Sequence, residues 1–280
     1  AFAADSGKYL SAISLPKGYR TGKNAEDTGR AYDRAAAYSQ DDGAQPPMQE
    51  SYNVVRDYQS EYHGTITLET AFAQSCNTTF ARLALALGAA RLSSTAADLG
   101  IGKEYLFEDM TLYKSSYAKP DTELQLAWSG IGQYKDLMTP LQLCMLASAV
   151  ANDGVMMEPK LLLRVNAPSG AVSRRLQSEV CDTVLTKKEA HTLKAYMRAV
   201  VAEGTGKRAA LKGYTVCGKT GTAEIASDKN IKTHAWFVGF IEEKEHPLAV
   251  CVILEQAGGG GAIAAPIAKG ILEKAIELGY

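Results

Sequence analysis

Three apolar runs with short connections constrain this chain more than any other part of its sequence. Tyr214–Ala226, His234–Glu242 and Leu248–Gln256 each read as a strand, and only the charged turn Glu243–Pro247 separates the last two. Strands joined so closely pair antiparallel, because a parallel pair needs a long crossover connection. Gly258–Gly261 follows as a flexible hinge. Ile263, Ile267, Ile271 and Ala275 then recur at the spacing that lines one face of a terminal helix.

The preceding residues have a helical character. Glu69–Gln74 and Thr78–Leu87 flank a short Ser75-Cys76-Asn77 turn, and Gly88 is a plausible helix cap. Thr122–Ile131 and Leu141–Ala151 read as buried helices joined by Gly132–Pro140. After a turn at Asn152-Asp153-Gly154, Met156–Val165 reads as a strand, and Pro168-Ser169-Gly170 as a hairpin turn into Ala171–Arg175. Thr186 and Glu189 have the spacing of a capping box, opening a helix with Leu193, Tyr196, Met197 and Val200 on one face. Residues 1–60 show no sustained period. The expected fold is therefore α+β: an antiparallel sheet flanked by helices, plus a mostly helical subdomain. The expected organisation is one domain over 1–280, with an irregular segment at 1–60, helices at 61–155, and the sheet and terminal helix at 156–280.

Composition narrows the function. A net charge of −1 gives no basic surface for nucleic acid. No apolar run reaches the ~18 residues of a membrane span, and no charged-then-apolar leader opens the chain. The 5 cysteines are scattered without a Cys-x-x-Cys pair, which favours buried free thiols over a disulfide framework or a metal site. No metal and no cofactor is expected.

Two short motifs carry chemistry. Lys219-Thr220-Gly221-Thr222 lies inside a strand, where an ammonium, two hydroxyls and strand-edge backbone suit a small carboxylate. A glycine inside a strand commonly marks close approach of a ligand or another backbone, and the Thr222 N–H is a candidate oxyanion donor. Ser75-x-Asn77 lies 144 residues earlier (219 − 75) and offers a hydroxyl and an orienting amide. Alone, Ser75 and Asn77 read as ordinary cap and turn residues; together and in this order the two motifs point to a site.

The pair resembles the second and third signatures of penicillin-binding transpeptidases and serine β-lactamases. The resemblance extends over residues 60–280: His63-Gly64-Thr65-Ile66-Thr67-Leu68-Glu69, Ala73–Phe80, Gly130-Ile131-Gly132-Gln133, Met138–Leu143, Val201–Gly206 and His234–Phe240 each look like the corresponding family segment, in order. It implies a peptidoglycan D,D-transpeptidase domain that binds stem peptides ending in D-Ala-D-Ala, and β-lactam antibiotics that mimic them. By position, Ser75 would relay a proton to the leaving amine, Asn77 would orient the catalytic lysine and the substrate amide, and Lys219, Thr220 and Thr222 would hold the terminal carboxylate, with Gly221 leaving room for substrate backbone. It also implies an extracytoplasmic location and a parent anchored in the bacterial cell membrane.

The first signature of the family, a helical Ser-x-x-Lys, has no convincing counterpart. Ser14-Leu15-Pro16-Lys17 has the right order, but the turn-like Gly18-Tyr19-Arg20 follows it; Ser116-Tyr117-Ala118-Lys119 falls after Ser75 and runs into Pro120. Three readings stay open: a nucleophile supplied by an upstream fragment or domain, a non-catalytic cell-wall peptide or β-lactam binding or sensor module, and Ser14 working in an unusual setting. A β-lactamase would need a deacylation base; Glu104, Glu108 and Glu123 are available, but none sits in a resembling motif.

Overall fold

The computed structural model describes residues 55–57, 63–162, 164–224 and 232–280. Its helices are α1 (Leu68–Ala73), α2 (Asn77–Leu87), α3 (Ala89–Asp98), α4 (Glu123–Ser129), α5 (Pro140–Ala151), α6 (Lys187–Ala202) and α7 (Ala264–Glu277). Its main sheet is β7 (Val216–Ala223), β8 (His234–Ile241) and β9 (Ala249–Leu254), antiparallel in the order β7-β8-β9, so among the described residues β7 is an edge strand. Lys219 pairs with Val238, and Val238 with Cys251. The fold is α+β, as expected. Three two-stranded sheets, less evident in the sequence, accompany it: β1 (Tyr105–Leu106) with β2 (Thr111–Leu112), β3 (Val155–Met157) with β6 (Val180–Thr183), and β4 (Arg164–Asn166) with β5 (Val172–Arg175).

Strand alternation gives the main sheet two buried faces. Cys217, Val238 and Phe240 join the core made with α1, α2, α5 and α6, while Val216, Phe237, Ile241, Val250 and Val252 join the core under α7. Local signals place the helices correctly. Thr122 and Thr139 cap α4 and α5 through their hydroxyls, Pro140 starts α5, and Thr186 with Glu189 forms a reciprocal capping box on α6. Gly88, at φ +83°, ends α2.

Three expectations change. Met156–Val165 is not one strand but β3 and β4 with a turn between them. Pro159 has no N–H for a ladder, and Asp109 Oδ2 takes the N–H groups of Leu161 and Leu162 at 2.7 Å each. Ile263, Ile267 and Ile271 are 37–48% exposed, because α7 turns Ala264, Ala265, Ala268 and Leu272 to the sheet instead. Small side chains let a helix approach a sheet closely, and spacing alone does not say which of two apolar stripes will be inside. Gly258–Gly261 is a packed crossing as much as a hinge: a Cβ at Gly260 would come within 2.3 Å of the carbonyl oxygens of both Gly221 and Trp236. Among the cysteines, Cys76 and Cys217 are buried, while Cys144, Cys181 and Cys251 are only partly so. Burial pushes the thiols of Cys217 and Cys251 up to about 12, which leaves them unreactive at neutral pH.

Candidate active site

Ser75 owes its position to the way α1 ends. The Ser75 N–H donates to Phe72 O at 3.2 Å and the Cys76 N–H to Ala71 O at 2.9 Å, the two bonds of a Schellman cap. That cap requires a left-handed residue, usually glycine, and Ser75 occupies it at φ +57°. A side chain in this conformation costs about 1–2 kcal/mol, and such strain concentrates at functional positions. Ser75→Gly should therefore be about 1 kcal/mol more stable than Ser75→Ala in denaturant unfolding, since both lose the hydroxyl and only glycine relieves the backbone.

The turn aims the Ser75 hydroxyl at the main sheet. Lys219 Nζ donates to Ser75 Oγ at 2.7 Å, across 144 residues of sequence, and to Thr220 O at 3.0 Å. It also lies 5.7 Å from the centre of the Phe72 ring. The ammonium is buried, and burial alone lowers its pKa from 10.5 to about 8. At neutral pH Lys219 is mostly a buried cation held by neutral groups, an arrangement that favours an incoming anion.

Two pH effects follow from that depressed value. Carboxylate affinity should fall as pH rises through about 8, because the cation is lost; titration of a carboxylate ligand between pH 6.5 and 9.5 measures this. Stability should move the other way. From pH 8 towards 10.5 the unfolded lysine holds its proton more than the folded one does, so burial of Lys219 becomes less costly and the unfolding free energy rises.

The other motif residues divide between the two faces of β7. Lys219 points to the helical side, whereas Thr220 and Thr222 point to the side crossed by the glycine loop. Thr220 Oγ1 lies 2.6 Å from Thr205 Oγ1, and Thr222 Oγ1 accepts the Gly260 N–H at 3.2 Å. The Thr222 carbonyl accepts from Gln133 Nε2 at 3.4 Å. A ligand meets both faces only by lying along the β7 edge. Gly221 has a reason beyond space for such a ligand, since a Cβ there would meet Trp236 Cβ at 3.1 Å.

Asn77 is the first residue of α2, and its Nδ2 donates to Arg56 O at 2.9 Å. Its hydrogen bond thus runs to the 55–57 segment. Asp57, from the same segment, was missed by sequence reading. Its carboxylate accepts from Thr78 N at 3.2 Å and Thr78 Oγ1 at 2.9 Å, capping α2 from 21 residues upstream. Asp57, His63 and Cys76 bring one ligand-type atom each within 4.8 Å of one another, the one such group among the described residues. The Asp57 carboxylate in this group already serves as the α2 cap, and His63 Nδ1 lies 3.5 Å from it.

Of the Ser-x-x-Lys pairs, Ser14 and Lys17 lie outside the described residues. Ser116 is in an extended bridge with Leu137, giving and receiving backbone hydrogen bonds at 2.8 and 2.9 Å, so Ser116 and Lys119 do not open a helix. Glu108 is held by Lys160 and Arg174 in ion pairs, and Glu123 sits in the first turn of α4.

Solved transpeptidase domains share this architecture. The D,D-transpeptidase domain of a peptidoglycan glycosyltransferase from Eggerthella lenta superimposes with a TM-score of 0.73 at 26% identity, covering 97% of this chain and 70% of that one. Penicillin-binding protein A from M. tuberculosis, solved as its penicillin G acyl-enzyme complex, gives a TM-score of 0.72 at 27% identity, covering 92% of this chain and 61% of that one. The peptidoglycan D,D-transpeptidase PbpA of Mycolicibacterium smegmatis is 32% identical over 221 residues, 77% of this chain and 45% of the relative. The chain thus spans less than half the length of that relative.

The fold is that of a penicillin-binding transpeptidase. The family profile "Penicillin binding protein transpeptidase domain" matches residues 30–273, and the chain belongs to that family.

Proposed function

We propose that this chain, read as one transpeptidase-like domain over 1–280, is the peptide-binding part of a peptidoglycan D,D-transpeptidase. It holds the D-Ala-D-Ala end of a stem peptide, or a β-lactam in its place, along the β7 edge. The observation that carries this reading is the 2.7 Å hydrogen bond from Lys219 Nζ to Ser75 Oγ. An ammonium only donates, so the hydroxyl hydrogen of Ser75 is free to point at a substrate atom.

The chemistry follows from that polarity. In acyl transfer a serine attacks the carbonyl of the penultimate D-Ala, forming an acyl-enzyme ester as the amide bond to the terminal D-Ala breaks. The departing amine needs a proton. Ser75 gives it one and takes over the proton that the attacking serine sheds, while Lys219 stays protonated and holds Ser75 Oγ in place for the relay. Asn77 orients the substrate amide through its side-chain carbonyl. Lys219, Thr220 and Thr222 hold the terminal carboxylate, and Gly221 admits the substrate backbone.

The likeness to peptidoglycan transpeptidases also supports an extracytoplasmic site of action and a membrane-anchored parent. No helix among the described residues is long and apolar enough to cross a membrane.

Intact-protein mass spectrometry after incubation with penicillin G, beside an NMR titration with an N-acyl-D-Ala-D-Ala peptide, tests the reading. An adduct that maps to Ser14 assigns the nucleophile within this chain. Peptide binding without an adduct assigns a receiving site that does not acylate. Neither adduct nor binding overturns the proposal.

A further inference from the structure

Thr205 lies outside both motifs, yet it joins them. Its N–H donates to Ala73 O at 3.1 Å, two residues before Ser75, and its hydroxyl lies 3.5 Å from the same carbonyl. The same hydroxyl is 2.6 Å from that of Thr220 on β7. The packing around this residue is tight. A Cβ at Gly204 would stand 2.1 Å from Ala73 O, and one at Gly261 would stand 2.4 Å from Thr205 O. Gln74 Nε2 adds a bond to Glu203 O at 3.4 Å. The backbone of 203–205 is thus fixed between the Ser75 turn, β7 and the glycine loop.

Two hydroxyls 2.6 Å apart share one hydrogen bond, and each has a single hydrogen to give. With Thr205 donating to Ala73 O, the hydrogen between the two hydroxyls comes from Thr220. A carboxylate accepts only, so a ligand carboxylate at Thr220 takes the Thr220 hydrogen for itself. Thr205 then has to turn its own hydrogen to Thr220 Oγ1. This releases only the long 3.5 Å contact, because Ala73 O keeps the Thr205 N–H. No heavy atom has to move.

We propose that Thr205 is a positioning residue for carboxylate recognition: its hydroxyl reverses direction to support Thr220 as donor when the terminal carboxylate arrives. A hydrogen bond received by a donor hydroxyl polarises it and strengthens the bond it gives, and this counts most where the acceptor is charged. The inference rests on the proposed function, which puts a substrate carboxylate at Thr220.

The test compares an N-acyl-D-Ala-D-Ala peptide with its C-terminal carboxamide, both titrated by NMR into the whole chain. Wild type should prefer the acid. Thr205→Val should weaken acid binding by about fivefold to tenfold, the size of one hydrogen bond between neutral groups, and leave the carboxamide unchanged. Thr205→Ser should restore the acid. Thr205→Ala, which adds no methyl against Thr220, should match valine and replaces it if valine is not accommodated. Equal losses for acid and carboxamide would mean a merely structural role, and unchanged acid binding would mean no role; either overturns the inference. If wild type shows no preference for the acid, the carboxylate reading itself fails and takes the inference with it.

Discussion

Lys219→Met is expected to lower affinity for an N-acyl-D-Ala-D-Ala peptide roughly hundredfold while leaving the protein folded. The loss is that of a buried charge-assisted hydrogen bond, about 2–3 kcal/mol. Stability should not follow it down. The wild-type ammonium is buried with only Ser75 Oγ, Thr220 O and the Phe72 ring as described partners, and its pKa near 8 records what that burial costs. Methionine has nearly the same length and no charge to desolvate. Unfolding curves at pH 7 should therefore show Lys219→Met at least as stable as wild type, with the difference shrinking as pH rises and the wild-type amine loses its proton. A variant that binds normally would remove Lys219 from the site; one that unfolds would make the lysine a structural group.

Phe80→Ala should have the opposite character, with a large loss of stability that also reaches the site. Phe80 is fully buried, and its ring meets that of Phe72 edge-on, with centroids 6.1 Å apart. Removing it should cost about 3–5 kcal/mol and, at roughly 2–4 °C per kcal/mol for a domain of this size, lower the melting temperature by roughly 10 °C. The two rings lie on either side of the Ser75 turn in sequence, Phe72 on α1 and Phe80 on α2. The left-handed Ser75 persists only while its surroundings hold it. A calorimetric scan reads the stability, and the Lys219 titration by NMR reads the site. If the Lys219 pKa and the melting temperature both stay at wild-type values, the Phe72–Phe80 pair does not brace the turn.

Much of the architecture follows from local rules. Thr186 and Glu189 announce α6 because a capping box needs only its own first turn; the structure has Thr186 N donating to Glu189 Oε2 at 2.6 Å and Glu189 N to Thr186 Oγ1 at 3.3 Å. The β7–β8–β9 meander follows from short connections. The family motifs locate Ser75 and Lys219 for a related reason, since each is recognisable within its own few residues. Asp57 had no such signal. Its work as a cap for α2 is done from another segment, and nothing near it in sequence marks an aspartate as a helix partner. The isoleucine stripe of α7 misled because periodicity identifies apolar faces, while the depth available against the sheet chooses among them.

By itself the sequence determined the class of fold, the strand that carries Lys219-Thr220-Gly221-Thr222, the turn that carries Ser75, and the family. Only the tertiary structure decided what those groups do to one another. Packing α1 on α6, and α6 on β7, brings the Ser75 hydroxyl to the Lys219 ammonium across 144 residues. The same packing buries that ammonium enough to lower its pKa and inserts Thr205 between the Ser75 turn and Thr220. Local backbone preferences fix which residues can form a helix end or a strand. Distances of 2.6 or 2.7 Å between side chains from distant segments depend on how those elements pack, and that is settled by the whole core at once.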